Sequence, residues 1–206
     1  MILQMSSRDI LLVLASDDTD DRFSEMTLLS YLAMDIPRCL RIRLGCPDYA
    51  GRMKVDGVTV DLGVEYRRNP ARDVAIIFFN LMSQRAFENV TWKWYPQIKM
   101  DYGEIPIILV GSRLDLRRKD GRWVRYLNLP IATAQGEALA VSINAVKYFE
   151  VSSDEEELQS TQERIMEEAV RAVFRKEQEK PDNEKEKEEG KNKIKRKCFK
   201  IIKKYF

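Results

Sequence analysis

The sequence contains no histidine among its 206 residues. Histidine is the commonest general base and the commonest metal ligand in proteins, so its absence argues against zinc sites and Ser-His-Asp catalysis. Cysteine is scarce as well, because Cys39, Cys46 and Cys198 are too few and too scattered for a disulfide framework. Such cysteine usage favours a reducing compartment.

Long apolar runs are also missing. No stretch approaches the roughly 20 apolar residues of a membrane span. Residues 1–8 lack the basic start and the long apolar run of a signal peptide. We therefore expect a cytoplasmic protein, or one held peripherally on the cytosolic face of the plasma membrane or an internal membrane.

What is present is a series of short aliphatic runs that are typical of buried parallel strands. They are Ile10–Leu14, Val74–Phe79, Ile107–Val110 and Val146–Val151, with a predicted helix, Ala132–Ser142, before the last. Alternating valines around Asp56-Gly57 predict an antiparallel hairpin over Met53–Val64.

The segment Glu155–Lys176 has the apolar spacing of a helix that covers a sheet. The residues on its predicted apolar face are Leu158, Ile165, Ala169, Ala172 and Val173. Strands that alternate with helices predict an α/β layered fold, with a mostly parallel central sheet, one antiparallel edge hairpin and helices on both faces. Such folds bind ligands at the carboxyl ends of their strands.

Several motifs follow one another in a specific order. They are the VDGVTVDLG run at 55–63, FENV at 87–90, KWYP at 93–96, IPIILVG at 105–111, NAVKYFE at 144–150 and EAVRAV at 168–173. Together they resemble the Rho family of Ras-like small GTPases, Rac-like members especially, weakly from residue 8 to about 50 and strongly from 53 to 175. The resemblance implies a P-loop GTPase fold and cytoskeleton-related signalling through regulators and effectors.

The resemblance also implies a phosphate-binding loop of the form GxxxxGK[ST] after the first strand. This sequence has there Ala15, Ser16, Asp17, Asp18, Thr19, Asp20, Asp21 and Arg22. Each carboxylate would repel the phosphates by about a few kcal/mol, and the glycines and the lysine are missing. The turn lacks the spacing of a calcium-binding EF-hand loop, and a solvated acidic turn that caps the next helix is the simpler interpretation.

Both switch segments depart from the family pattern. Arg38 follows Pro37 where the family has the Mg²⁺-binding threonine, and Tyr66 stands at the position of the Mg²⁺-linked Asp. The segment before Asp73 is also about a dozen residues shorter than the family pattern, well beyond boundary error. We expect no catalytic residue, no metal site and no bound cofactor.

The base-recognition side is better preserved. Ser112, Arg113 and Asp115 match the family's TKxD motif, and Ser152 and Ser153 stand where it has CSA. Asp115 would accept hydrogen bonds from guanine, and Arg113 would stack on the base. Two interpretations stay open: a relic in which Asp115 caps a helix, and an atypical protein that binds GTP or GDP through rearranged phosphate contacts with little or no hydrolysis.

Aromatic residues mark a candidate partner surface, since Trp, Tyr and Arg are enriched in interface hot spots. They are Trp92, Trp94, Tyr95 and Trp123. Trp123 lies in the basic segment Arg117–Leu129, which is predicted as a solvated surface helix or as a contact for an acidic partner.

The composition changes after Arg175. We predict a GTPase-fold domain at 1–175, a charged linker at 176–190 and a polybasic amphipathic tail at 191–206. The tail has eight basic residues and no acidic one, so it would dock on an anionic membrane. It lacks a prenylation box, and Cys198 is a candidate for acylation. Nuclear localisation or nucleic-acid contact is the less favoured alternative.

These observations predict a Rho-like pseudoGTPase that acts by protein-protein interaction. A membrane-surface adaptor driven by its basic tail is the other alternative.

Overall fold

A computed structural model describes residues 8–16, 49–64, 72–119, 129–152 and 155–179. Within these ranges the strands are β1 (Arg8–Ala15), β2 (Tyr49–Val55), β3 (Val58–Val64), β4 (Val74–Asn80), β5 (Ile107–Ser112) and β6 (Lys147–Glu150). The helices are α1 (Gln84–Asn89), α2 (Tyr95–Tyr102), α3 (Leu114–Lys119), α4 (Thr133–Ser142) and α5 (Glu155–Glu179), and a π-helical turn, Val90–Trp94, joins α1 to α2. The predicted strands, hairpin and two helices are confirmed, with small boundary differences.

The strands form one sheet in the order β2-β3-β1-β4-β5-β6. Neighbouring strands are parallel except β2 and β3, which are antiparallel and lie at one edge. This confirms the predicted mixed α/β fold. In β4 only the terminal Asn80 is not fully buried, and β5 is buried throughout. Burial on both faces explains why these strands read as continuous apolar runs.

Alternate residues of β4 enter the two cores of the domain, because successive side chains point to opposite faces of a sheet. Val74, Ile76 and Phe78 pack in the core that α5 covers. Ala75, Ile77 and Phe79 pack in the second core, together with residues of α1, α2 and α4. Helices therefore cover both faces of the sheet, as predicted.

The β2–β3 hairpin turns at the residues that the sequence indicated. Asp56 and Gly57 have φ values of 49° and 83°, the two left-handed positions that a two-residue type I′ turn requires. Arg171 of α5 donates to both carboxylate oxygens of Asp56, at 3.2 and 3.3 Å. The turn is thereby tied to the helix that covers the sheet.

The helix α5 follows the predicted periodicity. Ile165, Ala169, Ala172 and Val173 are all buried, while the side chain of Leu158 lies outside the described residues. The helix ends at Glu179, a few residues beyond the predicted end of the domain at Arg175. No helix in the described part of the chain is long and apolar enough to cross a membrane.

The π-helical turn was not predicted from the sequence. Tyr95 donates its backbone N–H to the Val90 carbonyl, five residues earlier. Pro96 stands in the first turn of α2, where its missing N–H costs little because that N–H would have no partner within the helix.

Candidate functional site

The candidate site lies at the sheet edge where the parallel strands β1, β4, β5 and β6 end. Asn80 is in register with Ser112, and Gly111 is in register with Glu150, so the ends of β4, β5 and β6 lie side by side. The loops that follow β5 and β6 carry the residues that the sequence assigned to base recognition. The topology therefore brings those residues together, as expected for this fold class.

The loop after β5 is held from both sides by backbone hydrogen bonds. The Leu114 N–H donates to the Val151 carbonyl at 3.0 Å, and the Leu81 N–H donates to the Ser112 carbonyl at 3.0 Å. Ser112 is fully buried, and its hydroxyl donates to the Phe79 carbonyl at 3.2 Å. The loop is thus fixed against both neighbouring strands.

Arg113 adopts a left-handed backbone conformation, with φ at 66°. A non-glycine residue in this region costs on the order of 1 kcal/mol and persists only where the surroundings impose it. Here Ser112 before it and Leu114 after it are both held by the hydrogen bonds described above. The backbone at Arg113 directs the chain into α3, whose first turn contains Asp115.

Asp115 and Ser152 are both buried, at 7% and 3% exposure. The helix dipole favours a carboxylate in the first turn of a helix. This position is consistent with the interpretation of Asp115 as a relic that caps α3. The same position after β5, beside the loop after β6, is where the predicted guanine acceptor belongs. Ser153 lies outside the described residues.

The phosphate side is described only at its start. Ala15 is buried against the second core, and Ser16 is partly buried. The acidic turn from Asp17 to Arg22 lies outside the described residues, and so do Arg38 and Tyr66. Among the residues that the structure covers, no group of three or more acidic or cysteine side chains is placed to hold a metal ion.

The register of the sheet limits what can stand between β3 and β4. Val64, the last residue of β3, is in register with Leu12, and so is Val74, the first residue of β4. Asp73 fixes this point further, because its N–H donates to the Leu11 carbonyl and its carboxylate accepts from the Leu11 N–H. β4 thus begins at the level of the sheet where β3 ends.

The sequence analysis did not predict a hydrogen-bond network that lies behind the base side. Arg117 donates to Glu150 at 2.7 Å, to the Ile131 carbonyl at 3.0 Å and to the Thr133 hydroxyl at 3.0 Å. The sequence predicted the segment from Arg117 as a solvated surface or a contact for an acidic partner. For Arg117 this prediction is wrong, because its side chain is mostly buried and ion-paired within the domain.

Tyr148 completes this network by donating to Glu150 at 2.9 Å. Burial, followed by the neighbouring carboxylate, raises the pKa of Tyr148. Burial also acts to raise the pKa of Glu150, but the hydrogen bonds from Arg117 and Tyr148 outweigh it and leave that pKa below its ordinary value. Arg117 and Glu150 are 33 positions apart in the chain, so no local sequence pattern indicates that they pair.

The residues of the candidate partner surface differ in their exposure to solvent. Trp92 is 80% exposed, whereas Trp94 and Tyr95 are partly buried and pack against the second core. The indole nitrogen of Trp94 is buried and has no hydrogen-bond partner among the residues that the structure describes. Trp123 and the candidate acylation site Cys198 lie outside the described residues. Of the described aromatic residues in this set, Trp92 is the one that presents its side chain to solvent.

Comparison with known protein families finds a match to the Ras family model over residues 41–175. The matched residues include both base-side loops and the strands from β2 to β6. They begin after the acidic turn.

Proposed function

The chain belongs to the Ras family of small GTPases, and from this premise we propose that it is a Rho-type signalling protein that has kept the GTPase fold and lost GTP hydrolysis. It acts by binding other proteins. The finer assignment to the Rho family is supported by the motifs from Val55 to Val173, in particular the KWYP segment at 93–96.

The observation that carries this proposal is that Val64 and Val74 are both in register with Leu12. Residues 65–73, nine in number, have to connect these two points on either side of β1. A connection between parallel strands ordinarily takes a dozen or more residues. In the family the groups that bind Mg²⁺ and orient the attacking water follow this strand, and residues 65–73 contain no glycine or glutamine to take their places.

Charge on the phosphate side supports the same conclusion. Asp17, Asp18, Asp20 and Asp21 replace a loop that should present backbone amides and a lysine. Phosphate groups require positive potential, and several carboxylates at that place supply the opposite. The residues on this side do not fit a nucleoside triphosphate with Mg²⁺, so we derive no hydrolytic step.

Contacts with regulators or effectors of Rho-type signalling would then carry the function. We assign these contacts to the β2–β3 hairpin, which lies at the edge of the sheet. The basic tail Lys191–Phe206 would place the domain on an anionic membrane surface, with Cys198 as a further anchor if it is acylated.

A second candidate function is supported by the base-side geometry. Ser112, Asp115 and Ser152 are buried at adjoining strand ends, and the backbone at Arg113 is held in a strained conformation. This arrangement favours an atypical protein that still binds a guanine nucleotide, with little or no hydrolysis. In that case Asp115→Ala would weaken nucleotide binding, while the fold would persist.

Two measurements on the purified full-length protein separate these candidates. Chromatography of the denatured protein should release no GDP or GTP, and a fluorescent guanine nucleotide should show no Mg²⁺-dependent binding at micromolar concentration. Binding that Asp115→Ala weakens would support the second candidate. Hydrolysis of GTP by the purified chain would refute both.

A further inference from the structure

The outer face of the helical segment 84–102 carries a line of apolar side chains. Trp92 and Met100 are each 80% exposed, and Pro96 between them is exposed too. Val90 and Ile98, which lie two residues before Trp92 and Met100, are buried against the sheet. A step of two residues turns a helix by about half a circle, so the exposed line points away from the core.

This line is about 12 Å long, because a helix rises about 1.5 Å per residue. Lysines lie beside it. Lys93 is held over the Trp94 ring at 3.9 Å, and Lys99 lies 5.5 Å from the centre of the Tyr95 ring. The ammonium group of each lysine thus lies near the ring of a partly buried aromatic residue, next to the apolar line.

Acidic groups on the same segment balance these lysines. Glu88, Asp101 and Glu104 are exposed, and Lys99 forms an ion pair with Glu104. The face as a whole is therefore not basic, and attraction by charge would not bring it to an anionic surface. What distinguishes it is the exposed indole and thioether side chains.

The end of the segment lies beside the end of α5. Lys176 in the last turns of α5 donates to the carbonyl of Glu104, four residues beyond Met100. The polybasic tail begins at Lys191, twelve residues after Glu179, and a flexible chain of the eleven residues between them would span on the order of 20 Å. The tail thus starts within reach of the apolar line.

We propose that Trp92, Pro96 and Met100 form a second membrane contact, which inserts into the interfacial region of an anionic bilayer once the basic tail has docked. This inference rests on the proposed membrane attachment of the tail. We assign the apolar line to lipid because the polybasic tail of the same chain begins close to this line. Tryptophan also prefers the membrane interface, where its ring meets apolar chains and its N–H meets polar groups. Such insertion would fix the orientation of the domain on the membrane.

The test uses the full-length protein and sedimentation with vesicles of phosphatidylcholine and phosphatidylserine. Trp92→Ala and Met100→Gln should each lower the partition coefficient, by about tenfold for the tryptophan. Val141→Gln is the matched control, because Val141 is apolar and 81% exposed on α4, and it should leave binding unchanged. Circular dichroism and thermal melting check that every variant is folded.

Two further measurements identify the occupant of the line. Lipids brominated in their acyl chains should quench the tryptophan fluorescence of the wild type and quench Trp92→Phe less. A variant with Lys195→Gln, Arg196→Gln and Lys197→Gln should lose the salt-sensitive part of vesicle binding. Light scattering should show a monomer for both wild type and Trp92→Ala.

The possible failures are distinguishable. If the wild type does not bind vesicles, both the tail attachment and this inference are refuted. If the tail variant loses binding while Trp92→Ala and Met100→Gln bind like Val141→Gln, the tail attachment stands and the second contact is refuted. A wild-type dimer that dissociates in Trp92→Ala would assign the line to a second copy of the chain and would also overturn the inference.

Discussion

The Arg117 guanidinium donates to the Glu150 carboxylate at 2.7 Å and so joins α3 to the end of β6. The two side chains are only 19% and 13% exposed. An ion pair that is mostly withdrawn from water holds the helix that carries Asp115 against the loop that carries Ser152. The Arg117–Glu150 ion pair therefore supports the base side of this domain from behind, and its acidic partner Glu150 lies far from Asp115 in the sequence.

Removing one partner of this pair should destabilise the domain. Arg117→Met leaves the Glu150 carboxylate mostly buried with fewer partners, and we expect a loss of about 2 kcal/mol in the free energy of unfolding. Urea denaturation followed by circular dichroism measures it. Arg175→Met is the matched control: its side chain is 52% exposed, and its partner Glu168 keeps Lys147 at 3.8 Å. Equal losses for the two variants would contradict the assigned role of Arg117.

The same carboxylate makes stability depend on pH. The pKa of Glu150 in the folded protein lies below its ordinary 4.5, because hydrogen bonds from Arg117 and Tyr148 outweigh the opposing effect of burial. The stabilisation is therefore present above pH 4.5 and is lost as the pH falls through the lowered pKa. Thermal melting should show a large difference between wild type and Glu150→Gln at neutral pH that shrinks on acidification. A difference that stayed constant across this pH range would contradict the assigned role of Glu150.

Gly136 should not tolerate a methyl group, although it lies within α4. Alanine normally stabilises a helix by about 1 kcal/mol relative to glycine. A Cβ atom here, however, would lie 2.3 Å from the ring of Tyr148, which is stacked on Phe79. We expect Gly136→Ala to cost about 1–3 kcal/mol. In a Tyr148→Ala background the same change should be neutral or stabilising, and an unchanged cost there would refute the clash.

Two tryptophans that look alike in the sequence should respond differently to truncation. Trp94 packs against the second core and Trp92 is 80% exposed. Trp94→Ala should lower the free energy of unfolding by about 2–4 kcal/mol, whereas Trp92→Ala should stay within about 0.5 kcal/mol. Denaturation of the two single variants measures this contrast. Similar losses of unfolding free energy in the two variants would contradict the finding that Trp94 is packed in the core while Trp92 faces solvent.

Much of the fold was predictable because its signals are local. The aliphatic runs of β4 and β5, the Asp56-Gly57 turn and the periodicity of α5 each fall within a short stretch of chain. The π-helical turn was not predicted, since no residue pattern in the sequence indicates a hydrogen bond five residues back. The base-side residues Ser112, Arg113 and Asp115 were found through their motif, whereas the supporting Arg117–Glu150 pair was not.

The sequence by itself determined the type and order of the strands, the family motifs and the acidic turn after β1, because each of these depends on neighbouring residues. Only the tertiary structure decided that Val64 and Val74 are both in register with Leu12, that Arg117 is enclosed by Glu150 and Thr133, and that Trp92 faces solvent while Trp94 faces the core. These relationships arise from the register of parallel strands and from helix packing across the sheet. Both join residues distant in the chain, and local propensity does not encode such pairings.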